Sequence, residues 1–446
     1  MDNNVTTTTT TENLGSNIEY GKYLDCVHCG LCTAACPTYL ETGDENKSPR
    51  GRIYLMRAVT DGRLELTDDV RENLDTCLDC RSCETACPSG VQYGRLIEPF
   101  RMDMEHADAA AGADASQSWF HKYVLYGLLT SRSKTRIALF PARIMQALRL
   151  DTAMEAVGLT KLLPGKLQRM FKQLPRLQSN LPALPEHLPA IGPPRAKVGL
   201  FLGCVADAMF RQTHWATARV LQHNGCEVFI PRSQGCCGAM HYHSGAGEPA
   251  MEMATQNAAA FDLDQLDAVI VNVAGCGAML KDYPEIAHEV ASEDHALRGT
   301  LEKLTAKIKD ISEFLAELGP IAPQGEIKLR ATYHDACHLC HAQQIRAQPR
   351  DLLSLIPGLE LVPLPESEIC CGAAGSYNLT QPEMSDRLAK RKYDNIMTTR
   401  PDAVITGNAG CLLQIQSEMR QAGQEIAVVH PMDLLDCSYR EVSPTL

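Results

Sequence analysis

Two copies of one cysteine pattern constrain this chain more than any other feature of its sequence. The pattern is CxxCxxCxxxCP, which places four thiols within eleven residues each time. The chain has 19 cysteines in 446 residues, far more than core packing requires. The first copy ends at Pro37 and the second at Pro88, and together they contain Cys26, Cys29, Cys32, Cys36, Cys77, Cys80, Cys83 and Cys87.

The spacing of these eight cysteines is that of two-cluster ferredoxins. There, three close thiolates wrap one iron–sulfur cube, and the fourth, redirected by the proline, ligates the other cluster. A pair of zinc ribbons is the alternative, although zinc ligands usually come as two separated pairs. The pattern therefore predicts two [4Fe–4S] clusters, one on Cys26, Cys29, Cys32 and Cys87, the other on Cys36, Cys77, Cys80 and Cys83.

The N-terminal segment predicts a cytoplasmic protein, in which cysteines stay reduced. It has neither the basic n-region nor the apolar h-region of a secretory signal. No run of 18 or more apolar residues occurs, so no membrane-spanning helix is expected. The threonines Thr6–Thr11 predict a disordered tail over residues 1–18.

The connection between the two cysteine runs, from Pro37 to Thr76, is long and contains a helical-looking stretch from Arg52 to Asp61. Small two-cluster ferredoxins have a shorter connection built from strands. The spacer therefore predicts an α-helical ferredoxin domain with its two clusters close together.

The remaining eleven cysteines contain a second duplication, built around two Cys-Cys-Gly (CCG) turns. Each copy has a cysteine after an apolar strand-like segment, then the CCG pair, then a cysteine after another such segment. The second copy follows the first by 133 to 135 residues, which indicates two homologous domains. These cysteines are Cys204, Cys236, Cys237 and Cys276 in the first copy and Cys337, Cys370, Cys371 and Cys411 in the second.

Each copy alternates apolar strands with helical segments, which predicts parallel α/β packing. Its four cysteines should lie at the C-terminal ends of strands, where open sheets place their sites. The predicted fold class is multidomain α+β, with an N-terminal α-helical ferredoxin domain followed by two homologous α/β CCG domains. After the tail, the expected boundaries are 19–110 for the ferredoxin domain, 111–192 for a basic helical linker, and 193–320 and 321–446 for the CCG domains.

The segments CVHCGLCTAACPTYLETGDENKSPRGRIYLM and LDTCLDCRSCETACPSGVQYGRLIE, followed by two CCG domains, resemble the iron–sulfur subunit of bacterial glycolate oxidase. The resemblance extends from about Tyr20 to the C-terminus. It implies a subunit that relays electrons from an FAD-containing dehydrogenase subunit, which oxidises glycolate to glyoxylate, toward the quinone pool. It also carries over the eight ferredoxin-type cysteines as cluster ligands.

The CCG cysteines also resemble those of heterodisulfide reductases, which bind an unusual cluster with help from a further CxxC near the end of the domain. Here Cys276 is followed by Gly-Ala-Met and Cys411 by Leu-Leu-Gln, so neither half has the fifth cysteine. Three interpretations stay open: a cluster in each half, one cluster assembled between the halves, and metal-free or redox-active thiols.

The segment Cys337-His-Leu-Cys340-His341 has the CxxCH form of c-type haem attachment, which requires export. A plainer role for His334 and His338 is hydrogen bonding near the CCG cysteines. The other alternative is a zinc site with the ligands His334, Cys337, Cys340 and His341.

Three cysteines, Cys226, Cys340 and Cys437, have no counterpart in the repeats and are expected to be small buried hydrophobes. His28, inside the first run, is expected to tune a cluster through its surroundings and not to bind it.

No catalytic motif for substrate oxidation occurs on the chain. GxGxxG after a strand, GxxxxGK[ST] and GxSxG are all absent, so FAD is expected on a partner subunit. A second class of function stays open, a thiol or disulfide reductase with the CCG cysteines as its active site. Within the first class, D-lactate and glycerol 3-phosphate are alternative substrates.

Basic residues are concentrated between the ferredoxin domain and the first CCG domain. The net charge of −12 argues against a nucleic-acid partner. Residues 115–185, however, include eleven basic and two acidic residues. Solvated helix faces would explain this. The alternative is peripheral contact of residues 115–185 with anionic lipid headgroups on the inner face of the cell membrane.

Overall fold

The computed structural model describes residues 14–110, 120–163, 165–177, 181–291 and 293–444. The run Thr6–Thr11 lies outside the described residues. Residues 14–18, expected in the disordered tail, instead pack on the N-terminal domain. Leu14 and Ile18 are buried in its core, and the amide of Gly15 donates a hydrogen bond to Asp103 at 2.8 Å.

The N-terminal domain is built from helices, with no strand among residues 14–110. The helix predicted in the spacer begins where Ser48 accepts a hydrogen bond from Gly51 and Pro49 occupies the first turn. Its buried face, which includes Met56, packs with Phe100 in the domain core. The helices are α1 (Gly21–Leu24), α2 (Pro37–Thr42), α3 (Pro49–Thr60), α4 (Asp68–Asp75), α5 (Ser82–Thr85) and α6 (Gly94–Ala110), with 3₁₀ turns at Thr33–Ala35 and Glu45–Lys47.

The linker runs across both CCG domains as a series of short helices. Arg132 donates to the carbonyl oxygen of Arg232, and Arg169 forms a two-pronged ion pair with Asp386. These contacts attach the linker to both halves of the molecule. Its elements are a π-helical turn at Phe120–Tyr126, α7 (Arg132–Ala138), α8 (Phe140–Ala147), α9 (Leu150–Ala156), a 3₁₀ turn at Leu159–Leu162 and α10 (Gly165–Gln173).

The first CCG domain is an open α/β sheet. Its strands are β1 (His187–Leu188), β2 (Ala196–Phe201), β3 (Cys226–Phe229), β4 (Ala268–Val271) and β5 (Ile308–Asp310). The spatial order is β1-β3-β2-β4-β5, and all pairs are parallel except β1 with β3. Its helices are α11 (Val205–Met209), α12 (Arg211–His223), α13 (Ala239–Tyr242), α14 (Gly247–Ala260), α15 (Ala274–Lys281), α16 (Tyr283–Val290), α17 (His295–Lys307) and α18 (Ile311–Leu318).

The second CCG domain repeats this topology without the antiparallel edge strand. Its strands β6 (Leu329–Tyr333), β7 (Leu359–Val362), β8 (Ala403–Ile405) and β9 (Ala427–Val429) are parallel in the order β7-β6-β8-β9. This order matches β3-β2-β4-β5. The helices are α19 (Gln348–Ser354), α20 (Tyr377–Thr380), α21 (Pro382–Thr399), α22 (Ala409–Gln421) and α23 (Pro431–Tyr439), with a π-helical turn at His338–Ala342.

The two CCG domains pack against each other around a pseudo-two-fold axis. Helix α12 of the first half contacts α23 of the second, and α18 of the first contacts α19 of the second. Since α12 is equivalent to α19 and α18 to α23, the two contacts are related by the pseudo-two-fold axis. One hydrophobic core continues through both sheets, from Val198 and Leu200 to Ala331 and Ile405. The halves therefore stabilise each other as one body.

A partly buried ion pair joins α12 to α23 in this interface. Arg219 Nε and Nη2 donate to the two carboxylate oxygens of Asp436 at 2.7 and 2.6 Å, and Asp436 is 4% exposed. Arg440 lies 3.3 Å from the same carboxylate. Asp436 thus depends on cations from both sides for its burial.

Replacing Arg219→Met should destabilise the paired CCG domains by about 1–2 kcal/mol, because Asp436 keeps only Arg440 as a partner. Thermal unfolding followed by circular dichroism should show a drop of roughly 2–6 °C. The matched control is Arg232→Met, since Arg232 pairs with Glu186 at the surface and is 79% exposed. The control should change the unfolding free energy by less than about 0.5 kcal/mol. Equal shifts in the two variants would contradict this account.

Candidate metal centres

Two adjoining cavities lie where the two cysteine runs meet. The first, of about 410 Å³ with its solvent-facing space included, is lined by Cys26, Cys29, Cys32 and Cys87, and also by Cys83. The second, of about 310 Å³, is lined by Cys36, Cys77, Cys80 and Cys83. The fourth cysteine of each run thus faces the first three of the other run. Tyr93, Pro49 and Cys83 line both cavities and lie between them.

The two CxxC loops share an unusual backbone. His28 and Asp79, at the same place in each loop, have φ of 54° and 49°. Gly30 and Arg81, two residues further on, have φ of 82° and 57°. Left-handed residues in a tight loop turn successive amides toward one side, which makes a concave site for an anion. The amide of Asp79 lies 3.4 Å from Cys77 Sγ in this way.

The donor chemistry of both cavities fits iron–sulfur clusters. Each is lined by at least the four cysteine sulfur atoms that a cubane cluster requires, and Cys83 lines both. Burial raises the pKa of Cys32 to about 11, so its thiolate needs a compensating cation in order to form.

Arginines supply positive charge at both cavities. Arg50 lines the first, and Arg52 and Arg81 line the second. Arg52 is 1% exposed, and its guanidinium donates to the backbone oxygen of Asn73 at 2.6 Å and to the hydroxyls of Thr38 and Thr76 at 3.1 Å. The second cavity therefore contains a fixed, fully buried cation.

The four cysteines of the first CCG domain meet at the C-terminal edge of its sheet. Cys204 follows β2, the pair Cys236 and Cys237 follows β3, and Cys276 lies in the first turn of α15. Cys204 Sγ and Cys236 Sγ are 3.3 Å apart, and Cys237 contacts both Cys236 and Cys276. The hydrogen bond to Cys236 and burial raise the pKa of Cys204 well above its ordinary value.

The four cysteines of the second CCG domain meet at the equivalent edge. Hydrogen bonds link Cys370 to Cys337 and to Cys371, and Cys371 to Cys411. The Sγ atoms of Cys371 and Cys411 and a ring nitrogen of His334 lie within 4.8 Å of one another. Hydrogen bonds from Cys370, Cys411 and His334 hold the pKa of Cys371 well below its ordinary value although burial opposes this. The eight CCG cysteines thus form two separate groups of four.

Three family models match the chain. A 4Fe-4S dicluster domain matches residues 22–91, and a cysteine-rich domain matches residues 198–281 and 331–416. The linker region of the glycolate oxidase iron-sulfur subunit matches residues 116–174.

Two curated relatives extend over nearly the whole chain. The probable glycolate oxidase iron-sulfur subunit of Bacillus subtilis is 37% identical over 427 residues, which are 94% of each chain. The glycolate oxidase iron-sulfur subunit of Escherichia coli is 33% identical over 92% of this chain and 93% of its own. This chain belongs to the family of glycolate oxidase iron–sulfur subunits.

More distant similarities fit membership of this subunit family. Lactate utilization protein A of Geobacillus kaustophilus is 33% identical but covers 54% of this chain and 98% of its own. A crystal structure of a hypothetical protein from Helicobacter pylori covers 89% of this chain and 69% of its own, with a TM-score of 0.51 and 8% identity. That likeness concerns the fold alone. Within the described residues, no helix of this family member is long and apolar enough to cross a membrane.

The chain is an iron–sulfur protein with an N-terminal α-helical ferredoxin domain and two homologous α/β CCG domains, as the sequence predicts. The three cysteines without repeat counterparts and His28 differ in their burial. Cys226 and Cys340 are fully buried and Cys437 half-buried. His28 is exposed at the first cavity, with its ring 6.3 Å from that of Tyr54.

The four residues suggested as zinc ligands around the CxxCH segment do not face one common site in the structure. His341 contacts the hydroxyl of Thr85 at 3.1 Å and the carbonyl oxygen of Glu368 at 3.3 Å. His334 instead faces Cys371 and Cys411. His338, as expected, lies beside a CCG cysteine, with Nδ1 3.5 Å from Cys337 Sγ.

One polar network was not foreseen from the sequence. His243 of the first CCG domain lies 2.7 Å from Glu98 and 3.2 Å from Asp79, both in the ferredoxin domain. Arg81 pairs with Glu98 at 3.0 Å and with Asp282 at 2.8 Å. Although burial opposes the charge, the close carboxylates of Asp79 and Glu98 raise the pKa of His243 to about 9. Residues so far apart in sequence leave no local signal of such a contact.

Replacing Arg52→Gln should lower the midpoint potential of a cluster bound in the second cavity. Reduction of such a cluster would add a negative charge beside Cys36 and Cys77, and the variant removes the cation that would stabilise this charge. The shift should be on the order of 60 mV, or about 1.4 kcal/mol for one electron. An EPR-monitored redox titration would measure it.

Two control variants accompany this measurement. Arg52→Lys keeps the charge and should restore most of the potential. Arg50→Gln should shift the other cluster less, because Arg50 is 29% exposed and screened by water. A potential unchanged in Arg52→Gln would remove the assigned role of this cation.

Proposed function

We propose that this chain is the electron-transfer subunit of a complex that oxidises glycolate to glyoxylate, and that it relays electrons from an FAD-containing subunit toward the quinone pool. The observation that carries the proposal is the pair of adjoining cysteine-lined cavities, in a chain whose full-length relatives are named for this complex. The reaction releases two electrons and two protons from each glycolate. FAD on the partner subunit would accept both electrons, and the cysteine-bound clusters of this chain would pass them on one at a time.

We assign the eight ferredoxin-type cysteines as ligands of two [4Fe–4S] clusters, in the crossed sets that line the two cavities. Cys26, Cys29, Cys32 and Cys87 would hold the first, and Cys36, Cys77, Cys80 and Cys83 the second. Ile53, Val91 and Tyr93 contribute an apolar wall to the first site. Arg50, Arg52 and Arg81 would offset the negative charge of the occupied sites.

The main alternative is a disulfide reductase that uses the CCG cysteines directly. Seven of those eight cysteines are buried, and Cys276 is partly buried. A substrate disulfide would need an exposed thiolate to attack it. Burial therefore favours the electron-transfer role. Relatives named for lactate utilization match about half of this chain, whereas relatives named for glycolate oxidase match nearly all of it, so we prefer glycolate to D-lactate as the substrate.

Glycolate should reduce the clusters of this chain only when the FAD-containing partner is present. Cluster reduction is measured as the loss of visible cluster absorption under anaerobic conditions. D-lactate and glycerol 3-phosphate are tested in parallel with glycolate. Cys29→Ser should abolish most glycolate-dependent reduction of an external quinone. Cys226→Ser, a buried cysteine in β3, should behave as wild type. Reduction by glycolate without a partner, or turnover of oxidised glutathione by the chain alone, would overturn the proposal.

We further propose that the linker rests on the anionic inner face of the cell membrane. Large apolar side chains are exposed on its short helices, among them Ile137 at 73%, Val157 at 76% and Leu162 at 79%. Exposed apolar groups beside basic residues suit the interface of an anionic bilayer. Arg132, Arg143 and Arg169 instead bind the CCG domains. The exposed basic residues with which we propose the contact are Lys122, Lys134, Arg149, Lys172 and Arg176.

Changing these five basic residues to glutamine should weaken sedimentation with vesicles of phosphatidylcholine and phosphatidylglycerol by at least about tenfold, since each contributes on the order of 1 kcal/mol. Vesicles of phosphatidylcholine alone should bind both proteins weakly. A matched control changes five exposed basic residues outside the linker: Arg63, Arg232, Lys303, Lys328 and Lys390. Equal sedimentation of the two variants would refute linker docking.

A further inference from the structure

The two CCG sites are built on one scaffold but differ in what surrounds their sulfur atoms. Strand register aligns the halves residue by residue, because Val198 pairs with Ala268 as Ala331 pairs with Ala403. By this alignment Cys204 corresponds to Cys337 and Cys276 to Cys411. The side chains next to equivalent cysteines can therefore be compared directly.

In the second half, polar side chains face the sulfur atoms. His334 lies within 4.8 Å of Cys371 and Cys411, and His338 Nδ1 lies 3.5 Å from Cys337 Sγ. Asn408, at the N-terminus of α22, donates its amide to Cys411 Sγ at 3.4 Å.

Helix α21 adds a buried cation to the second site. Lys392 is 2% exposed, and its ammonium donates to the carbonyl oxygens of Glu366 and Ser367. Its charge acts on Cys371, Cys370 and Cys411. The second group of four sulfur atoms is therefore surrounded by two imidazoles, one amide and one ammonium.

In the first half, the same positions are apolar. Phe201 stands where the second half has His334, Val205 where it has His338, and Val273 where it has Asn408. The corresponding helix α14, Gly247–Ala260, contains no lysine, arginine or histidine. The first group of sulfur atoms is packed instead with Phe201, Met102 and Tyr242 in one hydrophobic cluster.

This difference decides which site can hold an anionic centre. Four thiolates and their iron carry net negative charge, and burying that charge costs several kcal/mol unless hydrogen-bond donors or cations compensate it. Donors to the sulfur atoms also raise the reduction potential of a cluster. The second site supplies both kinds of compensation. The first supplies backbone amides, from Gly238 to Cys236 at 3.5 Å and from Val205 to Cys204, and the charge of the half-buried Arg132 of the linker acts on Cys204. The second has the equivalent amide, from Gly372 to Cys370, in addition to its polar side chains and its fully buried lysine.

The second site also adjoins the ferredoxin domain. Cys80 and Leu78 share one buried apolar cluster with Cys337, Cys370 and Tyr377. The hydroxyl of Tyr377 donates to the carbonyl oxygen of Thr76, directly before Cys77, at 2.9 Å. The second CCG site thus lies against the cavity of Cys36, Cys77, Cys80 and Cys83, with buried residues of both domains in contact.

We propose that the second CCG domain alone holds a third iron–sulfur cluster, on Cys337, Cys370, Cys371 and Cys411, with His334, His338, Asn408 and Lys392 as positioning residues, and that the first CCG site holds no metal. This inference rests on the proposed function, because it places the third cluster next to the second one of the ferredoxin domain. It replaces the alternatives of a cluster in each half and of one shared between halves.

Iron and acid-labile sulfide, measured on the anaerobically purified full chain, test the inference with equivalent double variants. Cys204→Ser with Cys237→Ser should keep the wild-type content of about twelve irons, at four for each [4Fe–4S] cluster. Cys337→Ser with Cys371→Ser should lose about four. Cys340→Ser, in the same turn as Cys337 but without a repeat counterpart, is the matched control and should keep all of them.

Several outcomes would overturn the inference. These are iron lost from the first-half variant, iron unchanged in the second-half variant, and zinc in place of iron at the second site. A failure of the proposed function would give a different result. Glycolate would then not reduce the clusters, but the two double variants would still differ in iron content.

A second set of variants keeps the test valid if the serine proteins fold poorly. Replacing His334→Phe, His338→Val and Asn408→Val transplants the first-half residues and should remove about four irons per chain. His338→Val alone should keep the iron but lower the midpoint potential of the third EPR signal. His338→Asn, which retains a donor, should restore the potential. A potential that does not respond to either His338 variant would show that His338 is not a positioning residue.

Discussion

Burial of negatively charged sulfur sites is the constraint on which the rest of this structure depends. The clearest evidence for this constraint is the position of Arg52. The side chain is fully buried, yet no carboxylate in the described part of the chain pairs with it. An unpaired buried guanidinium is costly unless its charge faces an anion. The cavity lined by Cys36 and Cys77 lies beside its guanidinium, so the burial of Arg52 is explained if thiolates and a cluster fill that cavity.

The duplicated CCG scaffold separates folding from site chemistry. The core that joins the halves is made of aliphatic residues from both sheets, and the helix pairs across it obey the pseudo-two-fold relation. The cysteines lie at the opposite, C-terminal edges of the strands, where loop residues can change without disturbing that core. Phe201 and His334 can therefore occupy one structural position in the two halves. The symmetry of the scaffold permits sites that are not symmetric.

Local signals made much of this molecule predictable. The spacer helix was predicted because Ser48, Pro49 and an apolar face encode it locally, and the crossed cysteine sets follow from the proline after each run. Which basic residues of the linker pair with the CCG domains and which face solvent is not predictable from local sequence. Whether Arg169 faces solvent or Asp386 depends on a residue 217 positions away. The packing of residues 14–18 was also missed, since the polar threonine run beside them suggested a tail.

The network around His243 gives the first CCG domain a structural role that does not depend on its cysteines. Asp79 lies between the cysteines Cys77 and Cys80, and its left-handed backbone turns its side chain toward His243. His243 follows α13 of the first CCG domain, and its ring lies 5.7 Å from that of His338 in the second. The first domain therefore holds the cysteine loop of the ferredoxin domain in place against the second. Because electron transfer requires short, fixed separations between centres, a contact that fixes Cys80 beside Cys337 would serve electron transfer between the two cysteine sites.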